Sequence, residues 1–348
     1  MTVRGSVGAA VTWARWLFPL AALAAGLYFF RDEMPFLGEA WGALRHASPG
    51  PVAAAVAASV ASVLAMAAAM QQLMNIEGRI TGFRRCASIT LASNAWSTTV
   101  PGGPAISAWL TFRVHRSWGA SPGLCGWFFV VSGALSTVWL VVIGIVAVAF
   151  LGAQLSVGAL AGSLALAVGV SLALFWAARN PEVLRRGVRL VPTRVAMRLE
   201  KFIDEVAAVR MTGRTFALAA ACSLANRLFD ALTLYFAAWS VLGVHGGNIS
   251  AAATVRAVAL AFVMTKLAGA AQVTPGGVGT VETIAAATLV ASGMTLVDAT
   301  ATTLVYRLVS FLLITAIGWV LYLLRYAGRG FMLGSPTPAL TGGEGHAA

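Results

Sequence analysis

The sequence predicts an all-α integral membrane protein with six transmembrane helices plus two re-entrant helical hairpins, built as a 3+3 inverted-topology repeat. Three observations lead there. Of the 348 residues, 59% are hydrophobic and only 10% charged, with a mean hydropathy of +0.83, whereas soluble domains carry about 25% charged residues. Apolar runs of spanning length recur along the whole chain, separated by short loops of uneven charge. Finally, Val100-Pro101-Gly102-Gly103-Pro104 breaks one apolar stretch and Thr274-Pro275-Gly276-Gly277-Val278-Gly279-Thr280-Val281-Glu282 breaks another, the two Pro-Gly-Gly cores lying 174 residues apart, half the chain. Broken apolar segments at matching places in two halves mark the binding site of many repeat-built membrane proteins.

The first span is expected from Trp13 to Phe30; Phe29-Phe30-Arg31-Asp32 is a poor cleavage site, so this reads as an uncleaved helix rather than a signal peptide. A loop with Pro35, Pro49 and Pro51 follows, then a second span from Val52 to about Met74, rich in the small residues that let membrane helices approach closely. Cys86 to Phe112 has 27 residues with Pro101, Gly102, Gly103 and Pro104 in the middle. A single crossing takes about 20 residues and two take about 40, so a hairpin that enters and leaves by one face fits this length. Leu124 to Phe150 and Ala159 to Ala178 are the third and fourth spans. In the charged region 179–214, Val195, Leu199, Phe202, Ile203 and Val206 recur at helical spacing, predicting an amphipathic helix on the membrane surface or a solvated connector. Phe216 to Leu242 is the fifth span, Ala251 to Ala291 the second interrupted region, and Thr300 to Leu324 the sixth span.

Charge sets the orientation. Basic loops at the start and at 75–85, 113–116, 179–214 and 325–329 belong in the cytoplasm, and 31–50, 151–158 and 243–250 outside. Six spans and two hairpins satisfy every one of these assignments. They place both termini in the cytoplasm of a plasma-membrane protein, and the two hairpins enter from opposite faces. The membrane domain is then 1–326, with inverted repeats at about 13–150 and 155–326, the second containing the basic segment 179–214, and a disordered tail over 327–348. The formal charge of +12 belongs to these loops and to anionic headgroups, so a nucleic-acid partner is not expected.

A Pro-Gly-Gly break inside a membrane frees backbone groups that lipid cannot satisfy, so such backbone must face protein or a wet cavity. The half-helix expected to begin near Gly277 would point its free N–H groups at the midplane, a place for a lipid phosphate; close helix crossing is the competing use of Gly276, Gly277 and Gly279. Glu282, about one and a half turns further on, needs a cationic partner, and Lys266 and Arg307 are the candidates, although Arg307 could also snorkel outward. Arg227 and Asp230 share a helical face and read either as a self-satisfied pair or as the polar lining of a cavity. Trp96, Trp109, Trp118 and Trp127 read as interfacial anchors, and so does Arg256. Neither the three cysteines (Cys86, Cys125, Cys222) nor the four histidines (His46, His115, His245, His346) have metal-site spacing. No catalytic constellation, metal or cofactor is expected, and the chain does not read as an enzyme.

Ser93-Asn94 leading to Val100-Pro101-Gly102-Gly103, then Pro275 to Glu282, then Tyr306-Arg307-Leu308, resemble the flippase-like membrane domain of the lysylphosphatidylglycerol synthase family over most of residues 10–326. The resemblance implies handling of a polar lipid, a membrane phospholipid or a polyprenyl or glycolipid, and its movement between leaflets. It does not imply aminoacylation, which in the two-part synthases belongs to a soluble domain after the membrane region. The expectation is a lipid flippase or transporter-like protein that binds an anionic or glycosylated headgroup between the hairpins. Lys266, Pro275, Gly276, Gly277, Gly279, Glu282 and Arg307 form the site, with Arg227 and Asp230 behind them. The second hairpin should hold the headgroup, and the first should complete the wall. Two other functions fit the same sequence: a membrane scaffold that docks a cytoplasmic enzyme through 179–214, and a small-solute secondary transporter.

Overall fold

A computed structural model describes residues 41–151, 211–245, 251–271 and 274–329, together with a few isolated positions. The expected first span, fourth span and surface helix lie outside the described residues but for isolated positions, as do most of the tail and most of the loops 31–50, 151–158 and 243–250; the start of the tail, expected to be disordered, is instead a short helical turn, Ala327–Arg329, with Ala327 buried. Within the described residues the chain is helical, and four helices are long and apolar enough to cross a membrane: Pro49–Met74, Pro122–Ala147, Gly213–Gly243 and Leu296–Arg325. These coincide with the second, third, fifth and sixth expected spans.

Helix α1 (Pro49–Met74) starts on proline, whose missing N–H costs nothing in a first turn. It ends at Asn75, whose side chain organises the next loop: its amide donates to the Thr81 carbonyl at 3.0 Å, and its oxygen accepts from the N–H groups of Ile80 and Thr81. Helix α2 (Phe83–Thr99) then runs to Val100, extended (φ −109°, ψ 139°) as a residue before proline prefers to be. Gly102, at φ 69° and ψ 14°, reverses the chain into α3 (Gly103–Ser117). A side chain at Gly103 would collide with the carbonyls of Trp96 and Ser97, so this hairpin closes only with glycine there. The basic stretch 113–116, expected as a loop, is instead the last turn of α3, where Arg116 sits favourably against the helix dipole. His115 is fully buried.

The long helices α4 (Pro122–Leu151) and α5 (Gly213–His245) follow. The second interrupted region is α6 (Ala251–Ala271), a short turn at Pro275–Gly277, and α7 (Thr280–Ala291). The sixth span is not one regular helix. Helix α8 (Leu296–Arg307) passes into a π-helical segment, Leu308–Leu313, and then into α9 (Ile314–Arg325). Thr295 caps it, accepting from the Asp298 N–H at 3.1 Å and donating to the Asp298 carboxylate at 2.7 Å.

Between helices in lipid the hydrophobic effect contributes little, so close packing and interhelical hydrogen bonds carry the association. Helix α1 lies along α5, and the small residues Ala55, Ala58, Ser59 and Ser62 are among those it buries. Asn226 donates to the Ser62 carbonyl and hydroxyl, both at 2.9 Å, and Ser62 donates to the Asn226 carbonyl at 3.0 Å. Helix α2 packs along α9, where Gly318 lets the backbones meet at the Leu91 carbonyl. The Trp319 indole donates to Thr99 Oγ1 at 3.0 Å. Trp96, expected as an interfacial anchor, is fully buried against Trp319 and Tyr322. Trp127 is also buried, while Trp109 stays half exposed. The core claims Trp96 because the neighbouring helix α9 carries the aromatic surface of Trp319 and Tyr322 that receives it.

Candidate functional site

The turn after α6 is built from three glycines that no side-chain residue could replace without strain. Gly276, Gly277 and Gly279 have φ of 62°, 66° and 82°, the left-handed region that costs an L-residue about 1–2 kcal/mol. Hydroxyls close the turn, Thr274 donating to the Val278 carbonyl at 2.7 Å and Thr280 to the Gly277 carbonyl at 3.0 Å. Helix α7 therefore begins at Thr280, capped by Gly279, rather than near Gly277. Glu282 falls in its first turn, closer to the break than expected.

Arg307, at the end of α8, reaches back across this turn. Its Nε donates to Glu282 Oε1 at 2.5 Å and its Nη2 to the Gly276 carbonyl at 3.0 Å. Its guanidinium lies 4.2 Å from the centre of the Phe311 ring. Arg307 is 7% exposed, so it points inward and does not snorkel. Of the two cations considered for Glu282, this one takes the pair. Lys266 is committed elsewhere, to Asp230 at 2.5 Å, and the Tyr306 hydroxyl donates to the same carboxylate at 3.2 Å. Asp230 is therefore not spent on a closed pair with Arg227. The Nε of Arg227 is buried and has no hydrogen-bond partner.

These groups surround a cavity of about 380 Å³. Lys266, Gly276, Arg307, Arg227 and Asp230 line it, as does Tyr306. Glu282 stands directly behind Arg307, while Gly277 and Gly279 shape the turn without facing the cavity, and Pro275 opens that turn. The first-half break, Pro101 to Pro104, does not line it. The first-half wall comes instead from α1 and α2: Ser59 and Ser62 on one, Thr90, Asn94 and Thr98 on the other. A β-carbon on Gly276 would come within 2.8 Å of the Thr98 carbonyl, so the second break touches α2 directly.

Several lining residues were missed in the sequence. Thr90, Asn94 and Thr98 recur every four positions, a polar stripe on one helical face, and that spacing could have revealed them. Ser310 and Phe311 enter the wall from the π-helical segment, which widens the helix at a place where such bulges often serve function; no sequence signal marks it. Among the described residues no three of His, Cys, Asp and Glu gather as a metal site.

The arrangement defines a membrane protein with a broken helix whose charged residues face a polar cavity inside the apolar helices. The model of the lysylphosphatidylglycerol synthase TM region matches residues 8–318, and the chain belongs to that family. No curated protein matches the chain.

Proposed function

We propose that the protein is a lipid flippase or transporter-like protein that admits an anionic or glycosylated lipid headgroup into the cavity between its two broken regions. One observation carries this reading: a cavity within the range that holds small ligands is walled by charges from α5, α6 and α8 and by hydroxyls and an amide from α1 and α2. Ionisable groups kept at membrane depth are expensive, and they mark substrate paths. Here five of them, Arg227, Asp230, Lys266, Glu282 and Arg307, gather around one space.

The proposal includes six spans and two re-entrant hairpins in inverted halves. Two features support it. Gly102 and Gly276 adopt nearly the same conformation, φ 69°, ψ 14° against φ 62°, ψ 9°. The packing partners also recur: α2 leans on α9 of the other half, and α6 on α4. Such a repeat would rock about the α1–α5 pair and expose the cavity to each side in turn.

The test is leaflet translocation of fluorescent phospholipids in vesicles carrying the purified chain, with Glu282→Ala and Arg307→Ala as comparisons. Wild type should outpace both variants and empty vesicles. Equal rates in all four samples would refute the flippase reading.

A further inference from the structure

Far from the cavity, the bundle carries a lopsided charge at the end where α1 and α9 finish and α2 begins. Arg79, Arg84, Arg85, Arg325 and Arg329 are exposed there, and Glu77 is the one acid at that end among the described residues. The packing of α2 along α9 brings four of these arginines together. The hydroxyls of Tyr326 and Ser88, both buried, meet at 3.2 Å. Arg84 and Arg85 lie one turn before Ser88, and Arg325 directly precedes Tyr326. Arg329 ends the turn that follows, its N–H donating to the Tyr326 carbonyl at 3.1 Å. Arg325 and Arg329 both act electrostatically on the Tyr326 hydroxyl. No ion pair among the described residues involves any of the four.

Arg84 and Arg85 stand in the first turn of α2, the end of a helix that disfavours cations. Guanidiniums gathered there without a carboxylate repel one another, and a bound anion relieves them. Phe83 and Leu324, next to them in sequence, expose large apolar surfaces, Leu324 by 76%. Basic charge beside exposed hydrocarbon at the foot of apolar helices matches a lipid, headgroup and chain together, better than an acidic protein. We infer that the foot of α2 and α9 is a saturable site for a lipid carrying two phosphates, in which Arg84 and Arg85 take one phosphate, Arg325 and Arg329 take the other, and the acyl chains lie along Phe83 and Leu324. The planar fork of a guanidinium suits phosphate oxygens. Two phosphates match two pairs of cations, whereas a lipid with one phosphate leaves a pair unneutralised. Because α2 and α9 come from opposite ends of the chain, the bound lipid clamps them together. This site is separate from the cavity and does not depend on headgroup binding there.

The experiment titrates the purified full chain in neutral detergent with short-chain cardiolipin, which has two phosphates, and with short-chain phosphatidylglycerol, which has one, following the melting temperature and native mass spectrometry. Cardiolipin should saturate at one lipid per chain, raise the melting temperature, and bind at least about tenfold more tightly than phosphatidylglycerol. Arg84→Gln with Arg85→Gln, or Arg325→Gln with Arg329→Gln, should each erase that preference. Arg116→Gln with Arg214→Gln removes two exposed arginines at the same end but outside the site, and should keep it. Without lipid, both site variants should melt no lower than wild type, because they relieve like-charge repulsion; this separates lost binding from lost folding. Equal affinity for the two lipids, or an equal loss in the Arg116/Arg214 variant, reduces the foot to a diffuse basic surface and overturns the inference. Deacylated cardiolipin headgroup that binds as tightly as the lipid, or a polyglutamate peptide that displaces cardiolipin at equal charge, overturns the lipid as ligand. None of these outcomes touches the cavity, whose headgroup reading is decided by the translocation assay.

Discussion

Removing Glu282 and Arg307 singly and together should produce strongly non-additive losses. The two side chains are 12% and 8% exposed and meet at 2.5 Å, so solvent screens them little. Breaking such a buried pair by deleting one partner costs about 3–5 kcal/mol, because the survivor stays charged and uncompensated. Glu282→Leu strands the guanidinium against the Gly276 carbonyl and the Phe311 ring. Arg307→Met strands a carboxylate whose Oε2 already has no partner and also orphans the Gly276 carbonyl, adding about 1–3 kcal/mol. Arg307→Met should therefore be the worse of the two. The double variant removes both charges and strands neither, so it should lose less than either single variant. Equilibrium unfolding in mixed micelles, read by circular dichroism, supplies the cycle. Additivity within about 0.5 kcal/mol would show that the two groups do not act as a pair and would refute this account of the turn.

Two further predictions use the same unfolding assay. Gly102 and Gly276 share a backbone conformation, but a β-carbon on Gly102 meets nothing within 4 Å, while one on Gly276 lies 2.5 Å from Phe311 Cε2 and 2.8 Å from the Thr98 carbonyl. Gly102→Ala should therefore cost only the left-handed backbone penalty of about 1–2 kcal/mol, and Gly276→Ala about 1–3 kcal/mol more for overpacking; equal losses would contradict the contact between the second break and α2. Asn226→Leu should weaken the α1–α5 pair by about 0.6–1.7 kcal/mol, the range for interhelical hydrogen bonds in lipid, and Ser62→Ala should still add a loss of its own in that background, because its hydroxyl donates to the backbone carbonyl of residue 226.

The reach of the sequence varied with the kind of signal. Four spans stood out because length and apolarity alone define a crossing, and the Pro-Gly-Gly breaks stood out because proline and three left-handed glycines have few other uses at depth. Lys266, Arg227, Asp230, Glu282 and Arg307 were legible for a related reason: a charge inside an apolar run requires an explanation. Which carboxylate took which cation was not legible, because Lys266 and Arg307 are both within sequence reach of Glu282, and only helix rotation decides between them. The π-helical segment after Arg307 lay hidden, since Leu308 to Leu313 composes like any apolar helix. Trp96 misled for the opposite reason. Its composition suits an interface, but its burial depends on Gly318 and Trp319 from a helix more than two hundred residues away.

The two breaks use the same residues for different ends. In the first, Gly102 turns the chain and Gly103 lets it fold flat against Trp96 and Ser97. In the second, the turn is tied to Arg307 through a carbonyl and a carboxylate, and so is joined to the start of the π-helical segment. A change in how Arg307 is held would therefore reach both the turn and the wall that Ser310 and Phe311 contribute. The first break has no such link. Its hairpin is fastened along α9 by Trp319, and by Thr315, whose hydroxyl meets that of Thr98 at 3.0 Å. If a headgroup enters the cavity, the second break is the side able to respond to it, while the first holds a fixed wall.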